Sequence, residues 1–490
     1  MNKASSGENA KALRSQYFWL VLSVMIAAFM SKLDSYIVNI SLPTIAKSFG
    51  VTTGQISLTV IVYLLVSTSL LLLFGKMGDR IGFKKVFIGG YAVFTVGSLL
   101  CGLSWNIYAL VASRFIQGAG GAMLVSAGYA MIPKFLPREI VGWGFGLLGT
   151  AVGFGIAVGA PLGGLISRYL SWHWIFLINI PVGVAAIVVA RRVIPDEGKM
   201  DSRGESLAEF DIPGAAISFF GLSLLLLALN MGDELGWGST WIIGAFISSA
   251  VLLVSFVVRE RRTPTPLLDF KIFRNRRFVL SSVAAFTAFL VLSGHSFMFP
   301  FFLQIEKGFA SDKAGFLIMI SSIVMILVAP LAGRLSDRLN PAVICTVAMI
   351  SSAASALFFS QTLSGGMVAL VAFLCWFPAS AGMFQPPNNS QAMEAAPAAD
   401  RGAAAGVFTT IGSFGQVLGV AVFETVYSHD LCSLAGTGTA DMMTAPHADL
   451  NHAFSTIYVM AFVLCMIAAG ISAMLIAGAR REDGEVLLLD

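Results

Sequence analysis

At 490 residues, 57% apolar, 12% charged and with a mean hydropathy of +0.82, the chain is far from a soluble composition, in which about a quarter of residues are charged. That excludes an ordinary globular enzyme and points to a chain threaded repeatedly through lipid. A net charge of +4 gives no nucleic-acid surface, because the basic residues are sorted by loop and not gathered into a patch. Mainly apolar runs of about 18 residues or more, each able to cross a bilayer, recur from end to end. Fourteen such runs lie between the first, near residue 30, and the last, near residue 466. Of the 31 Lys and Arg, Lys47, Arg168, Lys307 and Lys313 fall on one side of the runs, Lys32 and Arg114 inside them, and the rest on the other side. By the positive-inside rule both termini are then cytoplasmic. The polar stretch Met1 to Gln16 leads directly into a full span, so no cleavable signal peptide is expected. Cys101, Cys345, Cys375 and Cys465 lie in apolar runs and Cys432 in an outer loop, without the paired spacing of a disulfide framework or zinc site.

The first run, Leu20 to Leu42, carries Asp34. A charge near the bilayer centre costs at least ~2.5 kcal/mol on insertion scales, so it faces a bundle interior or a wet cavity. At ~1.5 Å per residue Asp34 lies roughly 12 Å below the outer surface, and Arg114, in the oppositely directed fourth run, roughly 10 Å. Matched depths predict that the two meet. A carboxylate that can exchange a guanidinium for a proton is what coupling to a proton gradient requires. At about 100° per residue, Lys32, Ser35, Tyr36 and Asn39 share one stripe, and Ser31, Asp34 and Ser41 the opposite one. One stripe can line a cavity while the other packs against a neighbour.

After the second run comes Gly75-Lys76-Met77-Gly78-Asp79-Arg80-Ile81-Gly82-Phe83-Lys84-Lys85, a tight cationic turn. A weaker copy, Gly333-Arg334-Leu335-Ser336-Asp337-Arg338-Leu339, follows the tenth run, with Asn340 and Pro341 in place of the glycine. Duplication at corresponding places of two six-helix halves marks an internally repeated transporter. The pair resembles the GxxxDRxGxxx loop signature of the major facilitator superfamily. The resemblance implies that Asp79 and Arg80, with Gly75, Gly82, Lys84, Lys85, Asp337 and Arg338, gate the cycle by locking the halves together on the cytoplasmic side.

In the fourth run Arg114 and Gln117 are three apart on one face of Arg114-Phe115-Ile116-Gln117-Gly118-Ala119-Gly120, which is similar to the superfamily's RxxQGxG motif. In the fifth, spacing by four stacks Gly155, Gly159 and Gly163 into a smooth side, with a proline bend at Pro161 and a further Gly164. This resembles the superfamily's antiporter motif and implies exchange over symport. The sixth run, Trp172-His173-Trp174-Ile175-Phe176-Leu177-Ile178-Asn179-Ile180-Pro181, is similar to the WRWxFxINxP signature of the fourteen-helix drug:proton antiporter branch, with His173 where arginine is usual. Leu33-Asp34-Ser35-Tyr36-Ile37-Val38-Asn39-Ile40-Ser41-Leu42-Pro43 resembles that branch's first-helix pattern, with Tyr36 for threonine and Lys32 as an unusual neighbour.

A charged linker from Arg191 to Asp211 leads to the seventh and eighth runs, read as an inserted hairpin with a packing or lipid-facing role. A second linker runs from Arg259 to Arg277. In the ninth run His295 precedes Gln304 by nine residues as Asp34 precedes Pro43, which makes it either a second proton site or a hydrogen-bonded interior histidine. The twelfth run closes on Gln385-Pro386-Pro387-Asn388-Asn389, also like the branch. The thirteenth holds Gln416 and, near its outer end, Glu424; some exporters of the branch use an acid here for cationic substrates.

The expected fold is therefore an all-α membrane protein of 14 transmembrane helices, two pseudo-symmetric six-helix bundles (1–192 and 278–490) with linkers and an inserted hairpin in 193–277. The expected function is proton-coupled efflux by alternating access in the bacterial inner membrane, by a monomer that needs no cofactor. Asp34, Arg114, Glu424 and His295 are candidates for proton coupling; Lys32, Tyr36, Asn39, Gln117, Asn179, Asn388 and Gln416 are candidates for substrate binding. Substrates are expected to be amphipathic, and cationic if Asp34 or Glu424 faces the cavity; Lys32 instead suits an anionic or lipid-like solute. A membrane enzyme would need a nucleophile with its base, or a metal cluster, and neither is present, nor is the GxxxxGK[ST] loop that binds ATP phosphates. A transport-inactive receptor or scaffold would carry buried Asp34 and Arg114 at a cost without return.

Overall fold

A computed structural model describes residues 3–196, 212–263, 270–336, 338–396, 401–435 and 445–486. Within them the chain is helical throughout, without a strand. The first six spans are α1 (Lys3–Phe49), α2 (Thr53–Ile81), α3 (Phe83–Gly102), α4 (Ile107–Phe135), α5 (Arg138–Tyr169) and a broken pair, α6 (Trp174–Leu177) with α7 (Asn179–Val193). The break falls where Pro181, which has no N–H, cannot bond the Leu177 carbonyl. Next come α8 (Ile212–Leu235) and α9 (Thr240–Glu260). The last six spans are α10 (Arg276–Phe301), continued by a π-helical turn over Phe302–Glu306, α11 (Ser311–Ser336), α12 (Pro341–Gln361), α13 (Met367–Glu394), α14 (Arg401–Ala435) and α15 (His447–Val486). Among the described residues thirteen helices are long and apolar enough to cross a membrane, and α8 contains a shorter apolar stretch, Ala216–Gly232, that makes the fourteenth.

The two halves repeat one packing plan. In the first, α1 lies along α5, α4 packs on α2 and α3, and α3 packs on α7. In the second, α10 lies along α14, α13 packs on α11 and α12, and α12 packs on α15. The halves meet along two symmetry-related seams, α5 with α11 and α2 with α14. The inserted pair is unequal. α8 docks over the second seam, touching both α2 and α14, while α9 packs on α8 and turns most of its surface outward.

Glycine fixes the closest approaches. A Cβ at Gly159 would meet Tyr36 Cβ at 2.7 Å, and one at Gly163 would meet the Ile37 carbonyl oxygen at 2.7 Å, so α1 and α5 touch along their backbones. Gly164 serves the other neighbour. Its absent Cβ would lie 2.9 Å from the Ser311 carbonyl carbon, and that of Gly315 would lie 3.0 Å from the Ala160 carbonyl carbon, so α5 and α11 interlock reciprocally. Ser311 donates to the Gly164 carbonyl at 3.0 Å and Gln304 to the Ile40 carbonyl at 2.7 Å. These contacts seal the end of the bundle that carries the α1–α2 and α10–α11 connections. Gly164→Val is expected to wedge this seam open. The check is spin-label distances between Arg168→Cys and Lys313→Cys in a background without the five native cysteines: the distribution should lengthen, and an unchanged one contradicts the interlock.

At the opposite end, Gly82 (φ +96°) turns the chain from α2 into α3, its N–H bonding the Gly78 carbonyl at 3.0 Å; only glycine takes that φ cheaply. Asp79, Arg80 and Lys85 are exposed on this turn. Lys84 reaches Asp196, just beyond α7, at 2.7 Å, and its hydrogen bond and positive charge hold that carboxyl below the usual carboxylate range. The pair lies within one half. Arg338 is exposed at the equivalent turn, and Asp337 lies outside the described residues.

Candidate functional site

Asp34 is fully buried at the centre of the first half, and four other spans supply its surroundings. Arg114 Nη1 donates to Asp34 Oδ2 at 2.6 Å and to Gln117 Oε1 at 2.7 Å. Gln117 Nε2 donates to Asp34 Oδ1 at 2.7 Å and to Ser98 Oγ at 2.9 Å, and Asn179 Nδ2 reaches the same Oδ1 at 3.2 Å. Arg114 Nε bonds the Thr59 carbonyl at 3.2 Å, and the guanidinium lies 4.0 Å over the Tyr63 ring. The carboxylate thus accepts one charge-assisted bond and two amide bonds, and the arginine has an anion, two neutral acceptors and an aromatic face. Such a pair pays a large desolvation cost, which is offset only when its hydrogen bonds are this complete. Thr59, Tyr63 and Ser98 were not read as site residues. The first two are four apart on the second span and share a face, a weak signal beside the charged pair.

The opposite stripe of α1 faces the second half. Tyr36 and Ile156 line a cavity between the halves whose other wall is Leu292, His295, Ser296 and Phe299 of α10, Ser321, Ser322 and Met325 of α11, and Phe377 and Pro378 of α13. Its volume is about 60 Å³, below the ~300–1,000 Å³ that encloses a drug-sized ligand, so the halves must part for one to enter here. Asn39 donates to Ser296 Oγ at 3.2 Å across this interface. His295 is held at 2.8 Å by Tyr458 and is ringed by Phe299, Phe373 and Phe377.

A model of the Major Facilitator Superfamily matches residues 24–420. The chain belongs to that superfamily. It is 32% identical to riboflavin transporter RibZ of Clostridioides difficile, over 84% of this chain and 89% of that one. It is 31% identical to the transporter YebQ of Escherichia coli over 83% and 88%, and 33% identical to an Escherichia coli protein named for multidrug resistance, MdtD, over 61% and 63%. The fold is shared with a bacterial homolog of the human lysosomal transporter Spinster (TM-score 0.67, 13% identity, 93% of this chain and 96% of that one) and with nucleoside transporter NupG (0.65, 13%, 93% and 99%). Membership of a transporter superfamily removes the enzyme reading.

Within this superfamily member the candidate residues divide differently from the sequence expectation. Gln117 and Asn179, read as substrate ligands, spend their polar groups on Asp34 and are buried. Asn388 is also buried, bracing α13 on α10 through the Ser281 carbonyl at 3.1 Å. Gln416 is half-buried on α14 and is not among the residues lining the cavity. Neither acid faces open space, with Asp34 at 0% and Glu424 at 1% exposure, so the condition attached to a cationic substrate is not met in this conformation.

Glu424 sits instead where α2, α8 and α14 meet. Thr53 Oγ1 donates to it at 3.3 Å, Asn230 of α8 approaches its other oxygen at 3.5 Å while bonding Ser57 at 2.7 Å, and Thr425 beside it donates to the Leu229 carbonyl at 3.0 Å. The acid therefore ties the inserted hairpin to both halves. Glu424→Ala orphans buried donors on two spans and is expected to lower unfolding free energy by about 1–3 kcal/mol. Thermal unfolding in detergent checks this; Glu424→Gln, which keeps an acceptor, should lose far less.

Proposed function

We propose that the chain is a proton-coupled exporter that exchanges protons for amphipathic organic solutes across the bacterial inner membrane, as a monomer with both termini cytoplasmic. In that orientation the sealed seam between α5 and α11 is extracellular. The observation that carries the reading is the complete hydrogen-bond enclosure of Asp34 on the face of α1 turned away from the cavity. Protonating Asp34 cancels the charge that Arg114, Gln117 and Asn179 share. The guanidinium is then freed and the packing of α1 against α2 and α4 relaxes. Because α1 also carries the cavity stripe, a change on one face alters the other. Proton and solute thus compete through one rigid helix and need not share a site. The α5 glycines Gly155, Gly159 and Gly163 let α1 shift against α5 without side-chain interlock, which supports exchange. The relatives named for riboflavin and for multidrug resistance support organic small molecules as cargo. The test is flux in proteoliposomes with an imposed pH gradient. Uphill movement that collapses when an H⁺/K⁺ exchanger dissipates the gradient is expected, and flux indifferent to the gradient contradicts the reading.

A further inference from the structure

We propose, building on the exporter reading, that the cavity selects an anionic solute bearing fused or planar rings, with Lys32 as its counter-ion. Lys32 lies seventeen residues from either end of the Ser15–Phe49 span. Two residues deeper than Asp34, it lies roughly 15 Å below the outer surface, beyond what a four-carbon stem can cover by snorkelling. A cation at that depth is tolerated when paired or when it faces a wet cavity. Among the described residues Lys32 has no hydrogen-bond or ion-pair partner. Asp34, two residues on, points to the opposite face and is committed to Arg114.

Lys32 Cβ would lie 3.1 Å from a Cβ at Gly155, so a glycine makes room for the side chain one turn from Tyr36, on the stripe that faces the second half. It is half-buried, one turn from the cavity-lining Tyr36, and is not itself part of the lining of the narrow cavity in this conformation. The cavity beyond holds no acid to neutralise it. Its polar groups are neutral: Ser296 accepts from Asn39 and keeps its O–H, His295 retains one ring nitrogen after bonding Tyr458, and Ser321 and Ser322 donate to the Leu374 and Ile318 carbonyls. Its apolar surface combines the rings of Tyr36, Phe299 and Phe377 with Ile156, Leu292, Ile318, Met325 and Pro378, and such rings stack on flat ligands. A mid-membrane ammonium, neutral donors and aromatic walls together describe a receptor for a carboxylate, sulfonate or phenolate carried on a planar ring system.

The experiment uses two xanthene dyes of the same three-ring frame and opposite charge, carboxyfluorescein and rhodamine 123. Binding to the purified full chain in detergent is read by fluorescence anisotropy, which requires no proton gradient. The parent is expected to bind carboxyfluorescein saturably and more tightly than rhodamine 123. Lys32→Met should weaken the anion by at least about thirtyfold, the lower bound for truncating one partner of a buried charge pair, and leave or improve the cation. Lys32→Arg, which restores the charge, should keep anion binding. No saturable carboxyfluorescein binding, a preference for rhodamine 123, or anion binding unchanged in Lys32→Met overturns the proposal. The anion preference without gradient-driven flux of the dye would uphold this inference and overturn the proton-coupled reading; gradient-driven flux of rhodamine 123 alone would do the reverse.

Discussion

Asp34→Asn is expected to abolish gradient-driven transport while leaving solute counterflow, in which the halves tilt without net proton movement. Asparagine keeps the size of aspartate and can accept the bonds of Gln117 and Asn179 with its carbonyl. It then presents an amide N–H₂ to Arg114, where the carboxylate oxygen accepted at 2.6 Å. Removing one partner of a buried pair costs about 3–5 kcal/mol, and each ~1.4 kcal/mol is a tenfold change in population. The bias between orientations should therefore change by at least roughly a hundredfold and no longer respond to pH. Paired uphill and counterflow assays in proteoliposomes check this. Uphill flux within a factor of about three of the parent, well inside the bias change expected from breaking the pair, would remove Asp34 from the coupling step.

Arg114→Met carries the largest expected stability effect. It leaves the Asp34 carboxylate buried with amide donors but no cation, and empties the space over Tyr63; the loss should be about 3–5 kcal/mol, read as a fall in unfolding midpoint. The double variant Asp34→Asn with Arg114→Met removes both charges and should recover most of that stability without recovering coupling. Arg114→Lys keeps the charge, but an ammonium cannot bond Asp34, Gln117 and the Thr59 carbonyl in the geometry of the planar fork. It should therefore fold nearly as well as the parent and transport poorly. If the double variant is no more stable than Arg114→Met, the two charges are not energetically coupled.

The spans, their number and the meeting of Asp34 with Arg114 were legible because each rests on a local rule: run length, charge sorting and depth along oppositely directed helices. The stripe of Lys32, Tyr36 and Asn39 was legible for the same reason, and Tyr36 does line the cavity while Asn39 bonds across it. What periodicity does not give is which neighbour a face meets. Gln117 shares a face with Arg114, yet its role in enclosing Asp34 depends on how α4 and α7 converge on α1. Glu424 was read as lying close to an outer helix end, but its burial follows from α8 docking over the α2–α14 seam, and the mainly apolar pattern of α8 encodes no direction. The π-helical turn at Phe302–Glu306 arises in the last turn of its span, and the break between α6 and α7 in the first turns of the sixth. There the nearby prolines, Pro300 and Pro181, hint at irregular backbone.

Because the cycle turns on one side chain taking up a proton, infrared difference spectroscopy on acidification tests it without knowledge of the natural solute. The parent should gain a C=O stretching band from a protonated carboxyl in a low-polarity environment, and that band should be missing from Asp34→Asn. Difference spectra that superimpose for parent and variant would show that Asp34 does not take up the proton, and would contradict the proposed coupling.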